Sequence, residues 1–233
     1  MVLPYLLAVC LCGVFCLVPL ALYLMWLARV TRRDHPTPVS GTWDYVGVMF
    51  ALSGFVVIGG GVLLSVLQSN FRYWMRGNAE ALRAAWVQER VTWTLFVLFY
   101  LFVVLGCAGF TLLARRRTLV VYNVEPEAFE TLLVEAFEQL GRPIERRGKQ
   151  WVGGGVLCEV DTFAAGRTVT LRWLSEDAVL FEDVNRQLRT SLAAQVTEEN
   201  AVTRWLTAGA TGTGMVALCS FGLLMYGLSL MNR

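Results

Sequence analysis

The run Gly209-Ala210-Thr211-Gly212-Thr213-Gly214 has the glycine content of a phosphate-binding loop. Such a loop follows a strand, keeps its amides free at a helix start and ends in Gly-Lys-Ser/Thr. This run lacks that ending and opens a long apolar block, so it favours helix packing. Gly153-Gly154-Gly155 precedes a predicted strand, which indicates a tight turn rather than a ligand cradle.

Residues for metal binding or acid–base catalysis are scarce. The acidic pairs Glu176/Asp177, Glu182/Asp183 and Glu198/Glu199 could bind a divalent cation, but they lie on the polar face or at the ends of a predicted helix. The only histidine is His35, which leaves little for a catalytic triad or a Cys/His zinc site. The cysteines lie in apolar blocks or a predicted strand: Cys10, Cys12, Cys16, Cys107, Cys158 and Cys219. We therefore expect no enzyme, catalytic residue, metal site or cofactor.

Apolar residues are concentrated in blocks longer than a soluble helix needs. Of the 233 residues, 56% are hydrophobic and 16% are charged, whereas soluble domains carry about 25% charged residues. The blocks predict transmembrane helices at 2–30, 45–68, 91–114 and 203–230. Residues 31–44 are predicted as a loop, because Pro36 and Pro38 break the helix. Residues 69–90 are predicted as an interfacial segment and the extramembrane start of the third helix.

Small residues within the second and fourth spans predict close contact with other helices. Small side chains spaced four apart let helix backbones approach in lipid. The helix-packing candidates are Gly54, Gly61, Ser65, Ala208, Ala210, Gly212 and Gly214.

Charge is segregated along the chain. Residues 118–200 hold 14 acidic and 8 basic residues, and the remainder holds 4 acidic residues and 12 arginines. Arginines at the edges of apolar blocks are placed to contact phospholipid headgroups. The headgroup-contact candidates are Arg32, Arg33, Arg72, Arg76, Arg115, Arg116, Arg117 and Arg204. An acidic soluble part argues against a nucleic-acid partner.

The arginines also predict the orientation of the protein in a cell membrane. Seven lie on the side of the soluble part: Arg29, Arg32, Arg33, Arg115, Arg116, Arg117 and Arg204. Five lie on the other side: Arg72, Arg76, Arg83, Arg90 and Arg233. The positive-inside rule favours a cytoplasmic soluble domain with both termini on the opposite side.

Residues 118–200 predict a small α+β two-layer domain with an antiparallel sheet and two helices, inserted into the four-helix transmembrane unit. Strands are predicted at 118–124, 144–152, 156–163 and 169–174. One helix begins at Pro126 and the other follows a Ser175 cap. Their apolar stripes are Phe129, Leu132, Leu133, Ala136, Phe137 and Leu140, and Leu180, Val184, Leu188 and Leu192. The pattern loosely resembles a ferredoxin-like sandwich that lacks the strand after the second helix.

The spans contain no central ionisable residue, and the chain shows no repeat of one half in the other, which argues against a transporter. We therefore expect an integral membrane protein whose soluble domain is an interaction or assembly module, as an accessory subunit of a membrane complex. Its expected partners are the lipid bilayer and other membrane subunits or further copies of itself. The alternative is a sensor or regulator whose domain binds a small ligand or lipid and couples to the fourth helix.

Overall fold

The computed structural model describes residues 2–67, 80, 84, 87, 90–197 and 200–231. In chain order the elements are α1 (Val2–Thr31), β1 (Thr37–Ser40), α2 (Gly41–Leu67), α3 (Arg90–Ala114), β2 (Thr118–Tyr122), α4 (Pro126–Gln139), β3 (Glu145–Arg147), β4 (Gln150–Val152), β5 (Val156–Phe163), a 3-10 turn (Ala164–Gly166), β6 (Thr168–Trp173), α5 (Ala178–Ala194) and α6 (Val202–Met231).

The chain divides into two compact units. The helical unit comprises Met1–Tyr23, Val48–Thr111 and Gly209–Arg233, and the sheet unit comprises Leu24–Gly47 and Leu112–Ala208. Four helices, α1, α2, α3 and α6, are long and apolar enough to cross a membrane. This confirms the four apolar helices expected from the sequence and indicates a membrane protein.

Close helix packing in the helical unit occurs at a glycine of α2. The ring of Tyr100 in α3 fills the notch at Gly60, where an added β-carbon would lie 2.5 Å from the Tyr100 hydroxyl oxygen. That hydroxyl donates a hydrogen bond to the Val56 carbonyl at 2.6 Å. A tyrosine can bury its polar end in an apolar surrounding only when the hydroxyl finds such a partner.

The sheet has six antiparallel strands in the order β1-β2-β6-β5-β4-β3. The predicted antiparallel sheet is confirmed, but the predicted count of four strands is wrong. The extra edge strand, β1, comes from the segment predicted as the loop 31–44 and pairs with β2, with Thr37 opposite Tyr122. Strand β1 forms one edge of the sheet. The described residues after α5, 195–197 and 200–231, contain no strand that takes this position.

The stretch predicted as one strand at 144–152 is a hairpin of β3 and β4. Gly148, with φ of +65°, makes the turn between them, and Arg147 pairs with Gln150. The second helix also begins differently from the prediction. Its N-cap is Asp177, whose side chain accepts a hydrogen bond from the Leu180 amide at 3.0 Å, while Ser175 accepts one from the Asp177 amide.

The main hydrophobic core lies between the sheet and helices α4 and α5. Both predicted helix stripes contribute to it, with Phe129 and Leu133 of α4 and Leu188 of α5 fully buried. Leu140 differs, because it follows the last residue of α4 and is exposed.

Every residue of strand β2 is buried. Because successive side chains of a strand point to opposite faces, both faces of β2 are covered. Leu119 and Val121 enter the main core. Val120 and Tyr122 instead form a second cluster with Val30 of α1. The sheet therefore packs against the end of an apolar helix as well as against its own two helices.

Candidate functional site

The first turn of α2 carries a buried carboxylate. Asp44 is 8% exposed, and the Tyr122 hydroxyl donates a hydrogen bond to its Oδ1. The Arg115 guanidinium lies 3.7 Å from Asp44 Oδ2 and 5.3 Å from the centre of the Tyr45 ring. The positive end of the α2 dipole also favours an acid at this position. The carboxylate is thereby held between α2, β2 and the residue after α3.

The end of α1 and the start of α6 are joined by two buried threonines. The Thr203 hydroxyl lies 3.1 Å from both the carbonyl and the hydroxyl oxygen of Thr31. Asn200 precedes α6 and accepts a hydrogen bond from the Val202 amide, the first of that helix, at 3.0 Å. The Asn200 side chain also donates to the Gly166 carbonyl at 3.0 Å. These bonds connect the helix entry to the turn between β5 and β6.

Asn123 connects the sheet to the segments beside α1 and α6. Its amide donates to the Arg33 carbonyl at 2.7 Å and to the Thr197 hydroxyl at 2.9 Å. The Thr197 backbone amide in turn donates to the Asp34 carbonyl at 2.8 Å. Asn123 is fully buried and has φ of +59°, a conformation that asparagine tolerates better than most residues.

A polar cavity of about 330 Å³ adjoins this asparagine. It is lined by Asn123, Glu125, Ala128, Arg167, Gln195, Val196 and Thr197. A guanidinium nitrogen of Arg167 lies 3.5 Å from a Glu125 carboxylate oxygen. The cavity therefore offers one cation, one anion and several neutral hydrogen-bonding groups, which is the chemistry for a small polar ligand.

The helical unit contains an apolar cavity of about 510 Å³. It is lined by Leu11, Cys12, Phe15, Pro19, Ser53, Gly54, Val57 and Ile58. Pro19 has no amide hydrogen to donate to the Phe15 carbonyl, and Gly54 lies against that turn, since a β-carbon there would be 2.7 Å from the Phe15 carbonyl carbon. The Ser53 hydroxyl donates within its own helix, to Phe50. This cavity suits hydrocarbon and offers nothing to a charged ligand.

The other helix-packing candidates lie in more open places. A β-carbon on Gly61 or Gly212 would meet no atom of the described residues within 4 Å, and one on Gly214 would lie 4.0 Å from Ala21. Ala208 is exposed and Ala210 is half-buried, and Ser65 lies within α2. The glycine that receives a side chain from α3 is Gly60, which the sequence pattern did not single out. Packing by the predicted set remains a prediction.

Most of the described headgroup-contact candidates are exposed in the sheet unit: Arg32, Arg33, Arg116, Arg117 and Arg204. Arg117 also donates to the Ser175 carbonyl at 3.1 Å. Arg115 is half-buried and contacts Asp44 and Tyr45. Arg72 and Arg76 lie outside the described residues, as does most of the segment 69–90. Trp43 and Trp205 are 72% and 81% exposed, as suits side chains at a membrane interface.

No group of three or more His, Cys, Asp or Glu side chains within the described ranges could hold a metal ion. His35 is exposed, and the described members of the acidic pairs stay on the surface or cap α5.

Sequence reasoning missed Asp44, Asn123 and the two joining threonines. Asp44 had a usable signal, because only four acids lie outside residues 118–200. The others are ordinary polar residues near element ends, and only the folded chain brings them together.

Comparison with known proteins gave no match to a protein-family model, a curated protein or a solved structure.

Proposed function

We propose that this chain is a non-catalytic, multi-pass membrane protein that serves as an accessory subunit of a membrane complex. Its small two-layer domain is the interaction module. The observation that carries the proposal is the open surface at Gly212. This glycine lies inside an apolar helix, yet a β-carbon on it would meet no described atom within 4 Å. In lipid, small residues at such positions favour contact with another helix.

Contacts within the sheet unit support this role, because they connect the interaction module to the ends of the apolar helices. Hydrogen bonds join the sheet or its loops to residues at the ends of α1, α2 and α6. An ion pair joins the residue after α3 to the first turn of α2. A partner bound to the domain would thus act on a surface connected to these helix ends. We also propose that the domain is cytoplasmic, because the exposed arginines gather at these ends.

The test is purification of the full chain in mild detergent, with its mass measured by light scattering and its companions identified. We expect a species heavier than the monomer. Gly212→Ile should remove the companion or the second copy, because a branched side chain blocks close helix approach. Leu218→Ile, at an exposed position on the same helix, is the matched control and should retain it. A monodisperse wild-type monomer without companions would overturn the proposal.

A second candidate function is a ligand-responsive regulator. The observation that favours it is the position of the polar cavity. Its lining residues Gln195, Val196 and Thr197 lie in the connection that leads from α5 into α6. A bound ligand would therefore contact the segment of the chain that leads into an apolar helix. A thermal-shift screen in which no small polar ligand raises the unfolding midpoint would count against it.

A further inference from the structure

Asn123, which lines the polar cavity of the sheet unit, has a buried acceptor that lacks a hydrogen-bond partner. Asn123 is 0% exposed, and both bonds of its amide nitrogen are made, to Arg33 and Thr197. Its Oδ1 has no partner among the described residues. A buried carbonyl oxygen without a donor is unfavourable, because it has lost its hydrogen bonds to water. An N–H or O–H donor inside the cavity would supply the missing bond.

The start of α4 favours an anion, whereas Asn123 Oδ1 favours a hydrogen-bond donor. Glu125 is the N-cap residue but its side chain makes no capping hydrogen bond, and Pro126 follows it. The amides of the first turn, including that of Ala128 on the cavity wall, therefore have no side-chain acceptor at the cap. A helix N-terminus with free amides favours an anion, and Arg167 lines the same cavity.

The backbone holds these groups in place. Asn123 and Arg167 are the non-glycine residues with positive φ within the described ranges, at +59° and +45°. Both line the cavity, and the Val124 amide donates to the Arg167 carbonyl at 2.9 Å. Their side chains thus project from fixed left-handed positions on two neighbouring segments.

We infer that this cavity binds a small zwitterion with a primary ammonium group and a carboxylate or phosphate a few bonds apart. The ammonium donates to Asn123 Oδ1 and pairs with the Glu125 carboxylate. The anion pairs with Arg167 and the first amides of α4. A volume of about 330 Å³ is at the small end of the range for ligand cavities, about 300–1,000 Å³, which fits an amino acid or a phosphoethanolamine group.

Two kinds of ligand carry such an ammonium and anion: a free small molecule and the headgroup of an ethanolamine phospholipid. The inference deepens the regulator role, on which it rests, and is independent of the accessory-subunit role. Loss of ligand binding and loss of co-purifying subunits are separate measurements, so one proposal can fail without the other.

The experiment uses the full chain in nanodiscs of phosphatidylcholine alone. Glycine, phosphoethanolamine and phosphocholine are titrated in turn, and the unfolding midpoint and the heat of binding are recorded. We expect glycine or phosphoethanolamine to raise the midpoint and phosphocholine to leave it unchanged, because a quaternary ammonium has no N–H to donate. In a second arm, phosphatidylethanolamine replaces part of the lipid. Stabilisation in the lipid arm alone assigns the site to the headgroup, which also supports the inference.

Variants separate binding from folding. Asn123→Ala removes two structural hydrogen bonds, so Glu125→Gln and Arg167→Gln are the informative substitutions. Each should weaken binding about tenfold or more, because each removes a charge-assisted contact. Lys149→Gln, which breaks an exposed ion pair of the same domain, is the control and should bind as the wild type does. The inference is overturned if no probe or lipid stabilises the protein, if phosphocholine binds equally well, or if both variants bind normally.

Discussion

The phenol of Tyr122 donates a hydrogen bond to the carboxylate of Asp44, a residue 78 positions earlier in the chain. Tyr122 belongs to a strand of the sheet, and Asp44 belongs to the first turn of an apolar helix. The Trp26 and Tyr122 rings are nearly perpendicular, with centroids 6.4 Å apart. One tyrosine thus connects the sheet to both α1 and α2.

Tyr122→Phe should lower the stability of the protein. The buried Asp44 would lose a donor, which costs about 1–3 kcal/mol of unfolding free energy. The thermal unfolding midpoint in detergent, followed by tryptophan fluorescence, measures the loss. Lys149→Gln should leave that midpoint close to wild type, since the Lys149–Asp161 pair is exposed and such pairs contribute little. Equal midpoints for Tyr122→Phe and wild type would show that the hydrogen bond is not formed.

Gly60→Ala should destabilise the helical unit, whereas Gly59→Ala should not. The first substitution places a methyl group against the Tyr100 ring, and the second meets no described atom within 4 Å. Overpacking typically costs about 1–3 kcal/mol. Resistance to denaturation by sodium dodecyl sulfate provides the comparison. Similar behaviour of the two variants would contradict the packing of Tyr100 against α2.

Thr203→Val should weaken the junction between α1 and α6. It removes the hydroxyl that contacts Thr31 at nearly constant volume, for an expected loss of about 1 kcal/mol. Hydrogen exchange at residues 28–33 should become faster, because the end of α1 is held less firmly once Thr31 loses its contact with Thr203. Thr190→Val is the control, since the Thr190 hydroxyl is exposed and bonds within its own helix. Unchanged exchange in Thr203→Val would argue against the junction.

Cys158 should resist alkylation in the folded protein. Burial raises the pKa of its thiol from 9.0 to about 12, so the reactive thiolate is scarce at pH 8. The stability linked to the protonated thiol is complete below pH 9 and is lost as the pH rises towards 12. The unfolding midpoint of the wild type should therefore fall more steeply above pH 9 than that of Cys158→Ala. Modification by iodoacetamide at pH 8 without denaturant, detected by mass spectrometry, would contradict this.

Residues 118–200 expressed alone should aggregate. Without β1, strand β2 presents an open edge, and Val120 and Tyr122 lose their contact with Val30. Joining residues 36–41 to the fragment through a flexible linker should improve its recovery as a soluble monomer, measured by size-exclusion chromatography. A soluble, folded fragment without that addition would show that the first strand is dispensable.

The sequence predicted the parts of the fold that depend on local periodicity. The apolar face of α4, with Phe129 and Phe137, has helical spacing and is buried as predicted. Strand β2 is rich in β-branched residues, so its own sequence predicts a strand. The four apolar helices follow from the length of the apolar blocks.

The remainder depends on contacts distant in sequence. Thr37 to Ser40 include a proline and are only four residues, so they form a strand only because β2 offers a partner edge. Gly148 has positive φ, which turns one predicted strand into a hairpin. Neither the burial of Asp44 nor the unpartnered oxygen of Asn123 has a local signature, because each is created by residues from other elements.

The pairing of β1 with β2 sets an order of events during synthesis. A ribosome that adds about 5–20 residues per second needs roughly 4–16 seconds for the 78 positions between Asp44 and Tyr122. The rest of the second apolar helix is synthesised early in that interval, and the strand between the first two helices has no partner until β2 follows. The sheet closes only when β6 arrives to take the other edge of β2. Synthesis of the first helix pair therefore precedes completion of the domain, and an early pause in translation would prolong the exposure of that strand.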